Sequence, residues 1–190
     1  MTLLILGVLL WILTHSFPVM MYPQRNKLIA SIGENPYKGI FSLLILGAIA
    51  LIIIGWRSII PEFLYVLPAW SRHLGMLMVV IGFIFMAVSK KSRITYMVRH
   101  PQLMGVAFWA LAHLMMNGEN RSIVLFGGLA FWSILSIIMI NRRDGAKPEA
   151  PEFASIGSEV GMVIGGVVVA GVVLYFHEYV SGIPLIGGAG

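Results

Sequence analysis

The chain has 190 residues, of which 58% are hydrophobic and 11% charged, with a mean hydropathy of +0.90. A soluble domain carries about 25% charged residues, so this apolar excess is more than one buried core absorbs and points to a bilayer as solvent. The formal charge is +5 at pH 7, and there is no cysteine, which excludes disulfides, thiolate metal ligands, iron–sulfur clusters and cysteine nucleophiles.

Six apolar runs follow one another, at roughly 3–20, 39–56, 73–89, 101–117, 122–140 and 159–177. Each approaches the ~20 residues of a spanning helix and is far too long for a buried strand. The expected fold class is therefore all-α: a polytopic membrane protein, residues 1–190 forming one domain of about six transmembrane helices. The first run lacks a basic start and a small-x-small cleavage site, so it is predicted to be a permanent span rather than a leader.

The loop after the first run holds Arg25, Lys27 and Lys38. The third loop holds Lys90, Lys91, Arg93 and Arg99, and the fifth Arg142, Arg143 and Lys147. These make ten of the chain's 13 basic residues; the intervening loops hold only Arg57, Arg72 and Arg121. Basic loops stay cytoplasmic, which predicts that both termini lie outside. The positive charge then faces anionic membrane lipid, and no nucleic-acid partner is needed to explain it. In the second loop, Trp56, Tyr65 and Trp70 are expected to anchor a segment lying along the membrane surface. The segment 144–158 (DGAKPEAPEFASIGS) is a linker with two prolines and no periodicity. In the last run, GMVIG at 161–165 lets helix backbones approach closely, and packing within the chain is expected of it ahead of a dimer face.

No acidic pair lies inside a run, so a carboxylate proton relay or a carboxylate-clamped metal pair is not expected. Histidine inside a bilayer usually faces a partner or a cavity. His15 follows Trp11 by four residues and shares its helical face. Gly105, Trp109, His113 and Asn117 form one stripe at intervals of four, the glycine leaving room for a flat ligand or another helix. Two imidazoles from different helices clamp a haem from both faces, and an apolar slot flanked by tryptophan suits the macrocycle. The competing assignment is that each histidine bonds a neighbouring carbonyl and ties helices together. Depth also bears on the pair. His15 falls about 7 Å to the cytoplasmic side of its helix middle and His113 about 6 Å to the outer side, roughly 13 Å apart along the membrane normal. His100 lies nearer His15 in depth and is a rival partner. Arg99 and His100 form a cationic corner suited to a lipid headgroup, nucleotide or phosphate, with Pro101 opening the fourth helix. His73 and His177 are expected at the interfaces.

The motifs THS at 14–16, IGENPYKGIFS at 32–42, RHPQLMGVAFWALAHLMMNG at 99–118, LFGGLAF at 125–131 and HEYVSGIP at 177–184 resemble those of the NnrU family of bacterial membrane proteins. That family is related to the plant and cyanobacterial 15-cis-zeta-carotene isomerase. The resemblance implies a multi-pass protein of the bacterial inner membrane that binds haem b, with His15 and His113 as axial ligands. It implies a hydrophobic polyene or a gas as ligand, a haem-dependent cis–trans isomerisation if the protein is an enzyme, and a link to denitrification. The isomerases carry a cysteine three residues before the second ligand; Ala110 stands there in this chain. Trp11, Phe108 and Trp109 would line the slot. A second class of reading is non-enzymatic: an accessory or assembly subunit of a nitrite or nitric oxide reductase, or of another respiratory complex. A third follows from RHPQLMG, which is similar to the S-adenosylmethionine-binding stretch of membrane methyltransferases. There Leu103 replaces a tyrosine, and the adjacent glutamates those enzymes carry are missing.

Overall fold

The computed structural model describes residues 1–147 and 149–183. Pro148 of the linker and Pro184, which closes the last motif, lie outside them. The described residues form helices α1 (Thr2–Met20), α2 (Tyr22–Ile32), α3 (Glu34–Arg57), α4 (Trp70–Ala87), α5 (Arg93–Val98), α6 (Pro101–Leu114), α7 (Asn120–Ser122), α8 (Gly128–Asp144) and α9 (Ile156–Ser181). A π-helical turn, Ile123–Gly127, joins α7 to α8 without a break. The fold is all-α, as the apolar runs predict.

Five segments are long and apolar enough to cross a membrane: α1, α3, α4, Asn120–Asp144 and α9. The fourth run is the exception. It yields a helix of only 14 residues, about 21 Å long at ~1.5 Å per residue, against a hydrocarbon core of about 30 Å. The shortening has a cause in the chain. The segment between α3 and α4 folds down over the end of α6, where Tyr65 donates its phenolic hydrogen to the carbonyls of Leu114 (2.7 Å) and Asn117 (3.2 Å). Leu64 and Tyr65 also donate their amides to Gly118. The backbone carbonyls a further helical turn would have used are thus satisfied by another segment.

Glycines let the helices pack in close antiparallel pairs. Gly7 faces Ala48 and Ile52 across α1 and α3, and Gly82 faces Gly105 across α4 and α6. A Cβ on Gly105 would lie 2.5 Å from the Gly82 carbonyl oxygen, so the room beside Gly105 belongs to α4 rather than to a flat ligand. On α9, Gly166 packs on Ile84, whereas Gly157, Gly161 and Gly165 face open space. The GMVIG stripe therefore points away from the chain, contrary to the expectation of packing within it. The buried core gathers Leu4, Val8, Trp56, Ala110, Leu125, Phe126, Leu129 and Ala130, from α1, α3, α6, the π-helical turn and α8.

The two ends of the bundle differ. At one, the basic loops lie together: Arg143 sits over Tyr22, Arg99 donates to the Gly145 carbonyl, and Ala154 donates to that of Lys91. At the other, Trp56 is buried beneath Arg121 and Tyr65 is bonded to α6, so neither is an interfacial anchor; Trp70 alone of the three is broadly exposed. Tyr65 is drawn inward because its hydroxyl completes the α6 terminus, and Trp56 because its ring supports a buried guanidinium.

Candidate functional site

Both intramembrane histidines named by the sequence are held in one way. His15 Nδ1 lies 3.1 Å from the carbonyl oxygen of Trp11, and His113 Nδ1 lies 2.7 Å from that of Trp109. A carbonyl oxygen only accepts, so the hydrogen sits on Nδ1 in each ring. Each Nε2 then carries an in-plane lone pair, the form in which imidazole ligates a metal. The bonded carbonyl lies in the same helix, four residues back. The bond therefore orients the ring and does not tie one helix to another.

The surroundings of the two rings are separate. His15 packs against Trp11 (ring centroids 4.2 Å apart), Trp132 (5.2 Å) and Phe41 (5.5 Å). His113 packs against Phe126 (4.3 Å), Trp109 (4.8 Å) and His177 (6.5 Å). Phe126 and Trp132 stand six residues apart on the continuous α7–α8 segment, about 9 Å of helical rise. The two imidazoles thus occupy different levels of the bundle, on the neighbours of one helix. Asn117, the end of the predicted stripe, donates its side-chain amide to the His113 carbonyl at 3.1 Å and so turns back on the helix end.

The His15 level is rich in donors without partners. Among the described residues, the indole nitrogens of Trp11 and Trp132 and the hydroxyl of Tyr37 are buried and bonded to nothing. Tyr37 and Phe41 also line two adjoining cavities of about 390 and 240 Å³. The first is edged by Arg25 and Lys38, the second by the apolar Phe17, Leu28, Ile40 and Leu44. Such a level offers hydrogen bonds to an acceptor and charge at its mouth.

At the His113 level, the π-helical turn carries Phe126 against the imidazole with ring planes 24° apart. Such turns re-aim a side chain by one position within a helix, and they recur at functional sites. Nothing in the apolar run 122–140 announces it. His177 was expected at an interface; instead α9 brings it to His113. Spacing along the chain carries no trace of that approach, because α9 begins 42 residues after α6 ends. Among the described residues no three of His, Asp and Glu gather, so imidazoles in ones and twos are the metal donors on offer. A porphyrin iron needs no more than that from a protein, whereas a bare ion needs three or four ligands.

Arg99 and His100 are both engaged with the end of α8. Arg99 donates to Gly145 at 2.8 Å, and His100 Nε2 pairs with Asn141 Oδ1 at 2.9 Å. The cationic corner is thus a joint between helices. Sequence reading missed a buried pair at the opposite end, Arg121 and Glu119, with Nε 2.7 Å from the carboxylate. The two residues stand two apart in a polar stretch, GEN RS, that reads as an exposed loop.

The chain matches a family model described as NnrU protein over residues 3–185. No curated protein and no solved structure matches it.

Proposed function

The chain belongs to the NnrU family, and we propose that it is a haem-b-binding redox protein of the bacterial inner membrane. The observation that carries this reading is the state of His113, which His15 shares. Both are lodged among aromatic rings, and both have Nδ1 committed to a backbone carbonyl and Nε2 left as a ligand. Their donor chemistry fits haem: neutral nitrogen, an apolar aromatic lining, and no requirement for a third protein ligand.

In this reading His113 would hold the iron, with Trp109 fixing its orientation and Phe126 supporting its face. The family resemblance names His15 for the opposite side, and His177 on α9 competes with it for that place. The bound iron would supply one-electron chemistry and an open or exchangeable coordination position for a hydrophobic or gaseous ligand. The protein's own contributions are to exclude water, to hold the ligand tautomer, and to offer the donors of Trp11, Trp132 and Tyr37 to an acceptor group. Isomerisation of a polyene is one use of such a site.

The test is a reduced-minus-oxidised visible spectrum of the protein purified in detergent from haem-replete cells, with haem identified by its pyridine adduct. A haem b band that is lost in His113→Ala is expected. A colourless wild-type protein that stays colourless after incubation with haemin overturns the reading.

One observation favours the accessory-subunit reading. The Gly157, Gly161 and Gly165 face of α9 is open, and most of that helix is exposed. A partner helix would fit closely there. Co-purification of a stoichiometric respiratory subunit with an otherwise colourless protein would favour that reading. The methyltransferase reading has less support, since Arg99 and His100 are already bonded to α8.

A further inference from the structure

We infer that the imidazole paired with His113 is that of His177 on α9, not His15, and that these two form the axial clamp of the proposed haem; the inference rests on the haem reading. Four observations lead to it.

The rings of His113 and His177 are 6.5 Å apart between centroids, with planes 21° from parallel. Two imidazoles bound through Nε2 to opposite sides of one metal, at a metal–nitrogen distance of about 2.0–2.1 Å, have centroids about 6.4 Å apart. The observed spacing has the length of such a clamp.

His177 is also in the ligand tautomer. Its Nδ1 lies 3.2 Å from the Ile183 carbonyl oxygen and 3.0 Å from Ser181 Oγ. Ser181 donates its hydroxyl hydrogen to the His177 carbonyl at 2.9 Å and accepts from the Ile183 amide at 3.0 Å. One proton assignment satisfies all of these: Nδ1 donates, and Nε2 keeps its lone pair. Both nitrogens left over, one on each ring, are acceptors, so neither satisfies the other. A shared electrophile is what two such lone pairs would bind.

The end of α9 is fastened where the clamp needs it. Trp56 Nε1 donates to the Ser181 carbonyl at 3.1 Å, and Arg57 donates to that of Tyr179 at 3.3 Å. These bonds tie the last turn of α9 to the end of α3. His177 is therefore held at a set height, although its helix is otherwise largely exposed. His15, by contrast, shares no neighbouring ring with His113 and lies at the level of Trp132.

The experiment uses full-length protein, purified with its haem or reconstituted with haemin, and reads the iron's spin state by electron paramagnetic resonance and the Soret band. Wild type is expected to be low-spin and six-coordinate. His177→Ala is expected to become high-spin and to recover the low-spin signal when free imidazole is added. His177→Met is expected to stay low-spin with a raised reduction potential, as methionine–histidine ligation does. His15→Ala is expected to leave the spin state unchanged. Elution as a single monodisperse species in each variant separates ligand loss from misfolding. A His177→Ala spectrum indistinguishable from wild type overturns the pairing while leaving the haem reading intact. A wild-type protein that takes up no haem overturns the haem reading, and the pairing with it.

Discussion

The guanidinium of Arg121 lies over the indole of Trp56, 4.3 Å from Cζ to the ring centroid, while its Nε donates to Glu119 at 2.7 Å and its Nη1 to the Trp56 carbonyl at 3.2 Å. Arg121 and Glu119 are each 8% exposed. The pair joins the end of α3 to the start of α7 beside the His113 level.

Removing one partner of a buried ion pair leaves the other charge without compensation, at a cost of about 3–5 kcal/mol. Arg121→Ala should therefore lower the thermal midpoint in detergent strongly. Replacing both residues with methionine should recover most of the loss, since well-packed apolar substitutes are often neutral there. A double variant as unstable as the single one would show that Trp56 and the backbone bonds, not the charges, hold this end together.

Gly105 and Gly161 make a matched contrast. Alanine at Gly105 would press on Gly82 and Met86 of α4, and forced overpacking costs about 1–3 kcal/mol. At Gly161 nothing stands within 4 Å, so alanine there should be neutral or slightly stabilising. Thermal midpoints of the two variants, measured side by side, decide it. Equal midpoints would mean that α4 and α6 do not meet at Gly105.

Tyr65→Phe removes the hydroxyl that closes α6. The loss should be about 0.5–1.5 kcal/mol, seen as faster hydrogen exchange over residues 114–118. The wild-type bond also has a pH limit. Burial holds the Tyr65 phenol above its ordinary range, and only the protonated phenol donates. Its contribution is therefore fully present below the unfolded value, about 10, and is lost as pH rises through the higher folded value. The exchange difference between wild type and Tyr65→Phe should persist through neutral pH and close only in strong alkali.

Arg99 has φ +67° and ψ −45°, and the His100 amide donates to the Val98 carbonyl at 2.9 Å. This is a γ-turn of the rarer hand, strained for any residue with a Cβ by about 1–3 kcal/mol. Arg99→Ala keeps the strain and loses the bond to Gly145. Arg99→Gly loses the bond and relieves the strain, so it should melt above Arg99→Ala. The reverse order would show that the turn relaxes when the guanidinium is gone.

What composition and pattern alone decided was the solvent and the class of structure. Apolar runs of spanning length have no stable form in a bilayer except a helix, because every backbone group must be satisfied within the segment. The basic loops grouped at one end follow from the same reading. The tautomers of His15 and His113 were also close to legible, because within a helix the backbone carbonyl four residues earlier lies within reach of each ring.

The rest depended on which surfaces meet. Gly105 reads equally as space for a ligand or for a helix, and only the approach of α4 chose between them. The fourth run reads as a full span until Tyr65, 49 residues from Leu114, takes the carbonyls that would have extended it. His177 reads as an interfacial residue because its meeting with His113 depends on how α9 docks. That docking is set by bonds from Trp56 and Arg57 to backbone carbonyls, which any residue would offer. Local sequence determines the helix and the state of each ring; long-range packing alone determines which rings share a level.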